Sequence, residues 1–457
     1  MWSASNLLRR IGFAVAFGTV WSPASWKGNA TTAPAQGCLC GTLADEFRAA
    51  DAGLVREWVV QVPFDSAAFR LDGVTVGDGL VVAQAGDGSL HAIRADGTVA
   101  WSSSIGAAAG HAWPATIGSR LVIVTSESAV HALDRDGGAL EWERPTGALT
   151  AAAAVQADDW IYAPLQSDRL LRLPVNPLAR AGAEQRQPAT DGTAATPDGS
   201  PSPAESLAPL SIAAGGPIDQ APAPLPNGVL WTTSSSLVAL ERTPLGWFRH
   251  ELPETGPPSQ ASRERLTLAG APVVRGNSIF IASADAGIAR IDLNAPGKPG
   301  LRAAWTAALP DRAAAGTLVS GSTVLVSIGP SGFVALAADD GRELWRSDLV
   351  GTLVAIAGDR AWILDQVGRL TALDLATGLR RGSACVGCFT LPIVNTASER
   401  LLLASPGGLV VSLAAPPVTT ATNPDAAAPT RAAAPVSGAE PEPAAEPASE
   451  DPDTTPP

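Results

Sequence analysis

Cysteine is scarce in this chain and confined to two clusters, Cys38 and Cys40 in "GCLC" and Cys385 and Cys388 in "CVGC". No two cysteines are adjacent, and Cys388 is followed by Phe389 instead of His, which excludes covalent haem attachment. Lysine occurs only at Lys27 and Lys298, and the net charge is −13. Without a clustered basic surface a nucleic-acid partner is excluded, because phosphate binding needs one. The four histidines, His91, His111, His131 and His250, are scattered. No Ser-His-Asp arrangement can be assembled from them, so no catalytic residue is assigned. Past the N-terminal region no apolar run reaches transmembrane length without charges, Pro or Gly, so no transmembrane helix is expected and the mature chain should be soluble.

What is abundant is apolar: 46% of residues against 16% charged, a composition that supports a large buried core. Arg9 and Arg10 precede an apolar run from Ile11 to Val20 and small residues ending at Ala24 or Ala35. That layout reads as a secretory signal peptide and leader over residues 1–35, too short to span a bilayer, and it predicts export. The twin arginine also allows a folded-export signal, and "AQGC" before Cys38 allows lipid attachment there. Residues 416–457 form an acidic Pro/Ala tail with seven acids against Arg431 alone, and Pro this frequent forbids a packed helix or strand.

Between these ends the chain repeats itself. "GDGLVVAQAGDGSLHAIRADGTVAW" (77–101), "GSRLVIVTSESAVHALDRDGGALEW" (118–142), "GSTVLVSIGPSGFVALAADDGRELW" (321–345) and "GDRAWILDQVGRLTALDLATGLRR" (358–381) align, and degenerate copies at 158–175, 226–247, 276–293 and 398–416 complete eight units. Each unit reads as alternating strands joined by tight turns, preceded by one more apolar segment such as "FRLDGVTV" (69–76). The G-D-G sequences at 77–79 and 86–88 are turn chemistry, not phosphate loops. Four short antiparallel strands at a period near forty predict an all-β, eight-bladed β-propeller, since one such sheet cannot bury both faces alone. The last unit lacks its outer strand, whereas "LVREWVVQVP" (54–63) is an outer strand with no blade before it. The two should pair and close the ring, removing exposed edges. The propeller is expected over residues 54–415, interrupted by a disordered insertion at about 177–216 and preceded by a Cys-containing segment at 36–53.

The spacing A-L-D-x-x-T/D-G-x-x-x-W, seen from Ala132 to Trp142, from Ala335 to Trp345 and, without Trp, over Ala372–Arg381, resembles the quinoprotein (PQQ-type) repeat. The resemblance implies that outer-strand Trp residues dock on the neighbouring blade, which nominates Trp58, Trp101, Trp142, Trp247, Trp305 and Trp345. It also raises a PQQ-dependent dehydrogenase as the alternative function. Such enzymes, as the resemblance implies, hold PQQ and Ca²⁺ in the central funnel and carry a disulfide between adjacent cysteines. No matching cysteine pair or carboxylate cluster is found, so no cofactor is expected. His91 and His131 share one repeat position on separate blades, too far apart to ligate one metal, and read as half-buried strand residues.

In repeat type and blade count the chain is similar to the BamB family, the propeller component of outer-membrane barrel assembly. That resemblance implies a monomeric, non-enzymatic scaffold of the periplasm or cell envelope, with or without a lipid anchor, gripping an envelope protein or an extended peptide segment through loops on one face. Ring closure would bring the two cysteine clusters to one seam. Disulfides between clusters are the leading reading for an exported chain. A Cys₄ zinc site formed by Cys38, Cys40, Cys385 and Cys388 is the alternative.

Overall fold

The computed structural model describes residues 53–106, 110–176, 210–234, 236–252, 270–283, 287–295, 298–314, 317–396 and 398–414. The signal region, Cys38, Cys40, most of the insertion and the acidic tail lie outside these residues. The described chain builds eight four-stranded antiparallel sheets arranged as a propeller ring, with one 3₁₀ turn at Gly329–Ser331 and no α-helix among the described residues.

In chain order blades 1 to 8 run Leu71–Ser104, Thr116–Pro145, Val155–Ala213, Ala223–Leu252, Val273–Ala307, Thr317–Ser347, Thr352–Cys385 and Leu391–Ala414, and blade 1 illustrates the unit. Its strands Leu71–Gly77, Leu80–Ala85, Ser89–Arg94 and Val99–Ser104 follow one another outward from the ring centre. The second strand is buried at all six positions and the third at four of six, because a blade is covered on both faces by its neighbours. Eight clusters of buried apolar side chains result, one between each pair of adjacent blades. The core is therefore distributed around the ring.

Closure follows the sequence expectation. Val55–Gln61 is the outer strand of blade 8, pairing from Val55 with Ala414 to Gln61 with Leu409. The carboxylate of Glu57 fastens the join, lying 2.7 Å from Arg400 Nε and accepting a hydrogen bond from Ser412 Oγ at 2.8 Å. One boundary shifts. Leu210–Ala213, assigned to the insertion from sequence, forms the outer strand of blade 3, with Leu210 opposite Arg172 and Ala213 opposite Arg169. Four residues after a long Pro- and Ala-rich stretch carry too little periodicity to be read as a strand, and pairing decides them.

Antiparallel order also sorts the loops. One face of the ring carries the turns between second and third strands and the connections between blades. The opposite face carries the turns between first and second and between third and fourth strands.

Candidate functional site

Register identifies one docking slot per blade, opposite the fourth residue of the repeat's third strand. Trp101 lies opposite Ala92, Trp142 opposite Ala132, Trp305 opposite Arg290, Trp345 opposite Ala335 and Trp58 opposite Ser412. In each case the indole N–H donates to a carbonyl just past the next blade's third strand. The acceptors are Ala95 for Trp58 (2.9 Å), Arg135 for Trp101 (2.7 Å), Val175 for Trp142 (3.1 Å), Ala338 for Trp305 (3.0 Å) and Leu375 for Trp345 (2.8 Å). The rings lie flat on the turn beyond. A Cβ on Gly97 would come within 2.6 Å of Trp58, and one on Gly341 within 2.5 Å of Trp305. The repeated D-G and T-G dipeptides thus serve as landing places for the neighbour's indole as well as turns.

Three slots depart from the pattern. Trp247, nominated from sequence, is not in its blade's slot; His250 is, opposite Ala239, and its ring sits against Gly300 of blade 5. Trp247 instead turns back on blade 3, where the buried Arg172 guanidinium stacks between Trp160 at 4.1 Å and Trp247 at 4.9 Å. Blade 3 has Leu210 in its slot, so the aromatic group at this interface is supplied from the opposite side. In blade 7 the slot residue is Gly382, opposite Ala372; the Arg381 aligned with Trp from sequence falls in the bulge beside it. The reason is topological. A Trp at 382 would need the turn after blade 8's third strand, but that strand ends at Ala414 and its partner strand comes from the other end of the chain.

His91 and His131 are buried outright, at 3% exposure each. Nδ1 of His91 is 2.8 Å from Ser102 Oγ and Nε2 is 3.1 Å from Ser89 Oγ; His131 Nε2 is 3.0 Å from Ser126 Oγ. Burial pushes both imidazoles below the ordinary histidine value, and Asp87 and Glu143 respectively pull them partly back. They are structural plugs between third and fourth strands.

Cys385 ends the outer strand of blade 7 and is disulfide-bonded. Cys388 lies three residues further on, packed against the core shared by blades 7 and 8. Both are on the ring face that carries the connections between blades. Gly53, at the entry to the first strand, abuts the Arg360 guanidinium on the turn between the first two strands of blade 7, hence on the opposite face.

The repeat type implies a quinone and Ca²⁺ in the central funnel. The eight inner strands carry one carboxylate among the described residues, Asp72, whose acidity burial suppresses, with His111 opposing that shift and Asp87 adding to it. No three His, Cys, Asp or Glu side chains among the described residues converge as metal ligands. A hard cation needs six or more oxygen donors. The residues present do not fit the group.

Around blade 7 the structure opens a lateral cleft of about 510 Å³, walled by Arg369, Arg380 and Arg381, floored by Thr371 and Ser383, and bordered by Leu349 of the preceding connection. Sequence reading did not find it, because its walls come from two strands and a turn of blade 7 and its border from the connection before that blade.

The family model described as outer membrane protein assembly factor BamB matches residues 49–185 and 299–383. The chain is a BamB-like propeller of PQQ-type repeats. Among solved structures, BamB from Moraxella catarrhalis aligns at a TM-score of 0.55 and 17% identity, over 78% of this chain and 98% of that one. AztD from Citrobacter koseri aligns at a TM-score of 0.48 and 9% identity, over 68% of this chain and 86% of that one. The computationally designed Ika8 protein gives 0.47 and 10%, over 75% and 95%. No curated protein matches the chain significantly. At such identities the BamB likeness establishes the fold, and the two lower scores add nothing to it. No helix among the described residues is long and apolar enough to cross a membrane.

Proposed function

We propose that this BamB-like propeller is an exported, monomeric, non-enzymatic scaffold of the cell envelope that holds partner proteins, and that its role is in assembling outer-membrane proteins. The observation that carries the reading is the match to the BamB family model, together with a ring that spans nearly the whole of the Moraxella catarrhalis BamB chain. Inner strands that are mostly apolar and carry a single carboxylate among the described residues support binding over catalysis. In this reading residues 1–35 are removed on export and Cys385 is cross-linked to Cys38 or Cys40. The disulfide-bonded state of Cys385 supports that over a four-thiolate zinc site, since a bonded sulfur is no thiolate ligand. Cross-linking in the native host should capture outer-membrane assembly components, and deletion should lower the amount of folded barrel proteins. An unchanged outer-membrane protein profile on deletion would remove the assembly role, and a chain that cross-links to no envelope protein would remove the scaffold role.

A further inference from the structure

The lateral cleft on blade 7 has a specific origin in the sequence. At the position where blade 1 sets His91 against Ser102 and blade 2 sets His131 against Glu143, blade 7 sets Thr371 against Ser383. The imidazole that plugs this level in blades 1 and 2 is replaced by a smaller side chain, and a cavity is left. Thr371 is buried at its floor, while Ser383 faces solvent.

The charges around it are unequally committed. Arg381 is held by Asp374 at 2.5 Å and Arg380 by Asp348 at 2.8 Å, and Asp365 accepts backbone N–H bonds from Val367 and Arg369 within its own turn. The Arg369 guanidinium is exposed and is bonded to no carboxylate or carbonyl among the described residues. Its counterpart in blade 3, Arg169, is occupied: it donates to the hydroxyl and the carbonyl of Ser211. Arg369 thus stands beside two hydroxyls at the mouth of an unfilled cleft, a donor set that matches a carboxylate. Val367, 77% exposed, gives the mouth an apolar lip, and Leu349, largely buried in the core between blades 6 and 7, borders it. Alongside runs the strand Arg380–Cys385, outermost in its sheet, whose outer backbone edge has no strand partner among the described residues. An unpaired edge accepts an extended chain.

We propose that this cleft is a binding site for an extended, acidic peptide segment of a partner protein, with a Glu or Asp carboxylate received by Arg369 and the Thr371 and Ser383 hydroxyls, and neighbouring apolar side chains lying on Val367. The proposal deepens the scaffold reading and rests on it for biological meaning, though the binding itself can be measured without the host.

The test uses the full exported chain and two labelled eight-residue peptides, one alternating Val with Glu and one alternating Val with Gln, titrated by fluorescence anisotropy. The Glu peptide should bind at least about tenfold tighter, the effect of one charge-assisted hydrogen bond, and added salt should narrow the gap. Arg369→Gln should bring the two peptides together. Thr371→His, which restores the plug of blades 1 and 2, should abolish binding with Arg369 still in place. Equal binding of both peptides to the unaltered chain overturns the proposal whatever the variants do. So does Glu-selective binding that survives Arg369→Gln or Thr371→His in variants with unchanged thermal unfolding. Envelope cross-links that persist in Arg369→Gln alongside failed titrations would sink the cleft and leave the scaffold reading standing.

Discussion

At the scale of single residues the ring is held by a small recurring device, an indole laid on the next blade's turn. Its tightness makes the underlying glycines intolerant. Gly97 has φ +86° and Trp58 directly above it, so Gly97→Ala should cost about 1–3 kcal/mol through overpacking and backbone strain combined. Gly79, at φ +78° with nothing within 4 Å, isolates the backbone part, and Gly79→Ala should cost about 1 kcal/mol or less in the same denaturant titration. Equal costs at the two sites would show that the Trp contact is not rigid. Trp101→Ala, at a 7% exposed position, should cost about 3–5 kcal/mol. The histidine plugs give a pH signature. Their folded values lie below the unfolded value of about 6.5, so the unfolded chain takes up protons first. Stability should be full above that value and fall as pH drops through it toward the folded values. His91→Asn combined with His131→Asn should flatten the thermal-unfolding midpoint between about pH 7 and 5. A midpoint that falls equally in the double variant would place the titrating groups elsewhere.

At the scale of elements the seam is the weak point. It joins the two ends of the propeller by one strand pairing and by Glu57, and the preceding blade 7 turns glycine, not Trp, toward it in the docking slot. Glu57→Ala should lower stability by about 1 kcal/mol, since its partners are partly exposed. Deleting residues 54–61 should do far more, exposing Leu409–Ala414 as a bare apolar edge. Size-exclusion chromatography should then show aggregation, and a monodisperse, cooperatively unfolding deletion would contradict the closure argument. Gly382→Trp should give no stabilisation, because blade 8's third strand ends at Ala414 and no turn beyond it lies among the described residues to receive an indole.

At the scale of the whole molecule, tying residues near the chain start to Cys385 would close a loop of about 350 residues. In the chain-entropy model such a bond contributes roughly 5–6 kcal/mol. Reduction, or Cys385→Ser, should therefore lower the unfolding midpoint markedly while leaving the ring folded at ambient temperature. Intact mass of the protein purified from its native host, with and without reductant and alkylation, checks the pairing and finds any leader removal, lipid or bound metal in one measurement. Four alkylatable thiols before reduction would rule it out.

The eight units, the strand count per blade and the closing partner of the last blade were legible in the sequence, because each follows from local periodicity and turn chemistry repeated many times over. Periodicity fails where repetition does. Without a Trp to mark its end the blade 7 unit reads one residue short at Arg381, although the ten-residue step from Ala132 to Trp142 and from Ala335 to Trp345 lands, from Ala372, on Gly382; Leu210–Ala213 likewise reads as insertion. Trp247 looked like its relatives in spacing but packs against Arg172 in the preceding blade, a partner on another sheet. The blade 7 cleft was invisible for the same reason. Thr371 and Ser383 are unremarkable in a strand, and they become a site only when Leu349 from the neighbouring connection and an uncommitted Arg369 close around the space a histidine fills elsewhere. Short-range hydrogen bonding and hydrophobic period, both read along the chain, determined the ring; which side chains face one another across blades was decided only by packing in three dimensions.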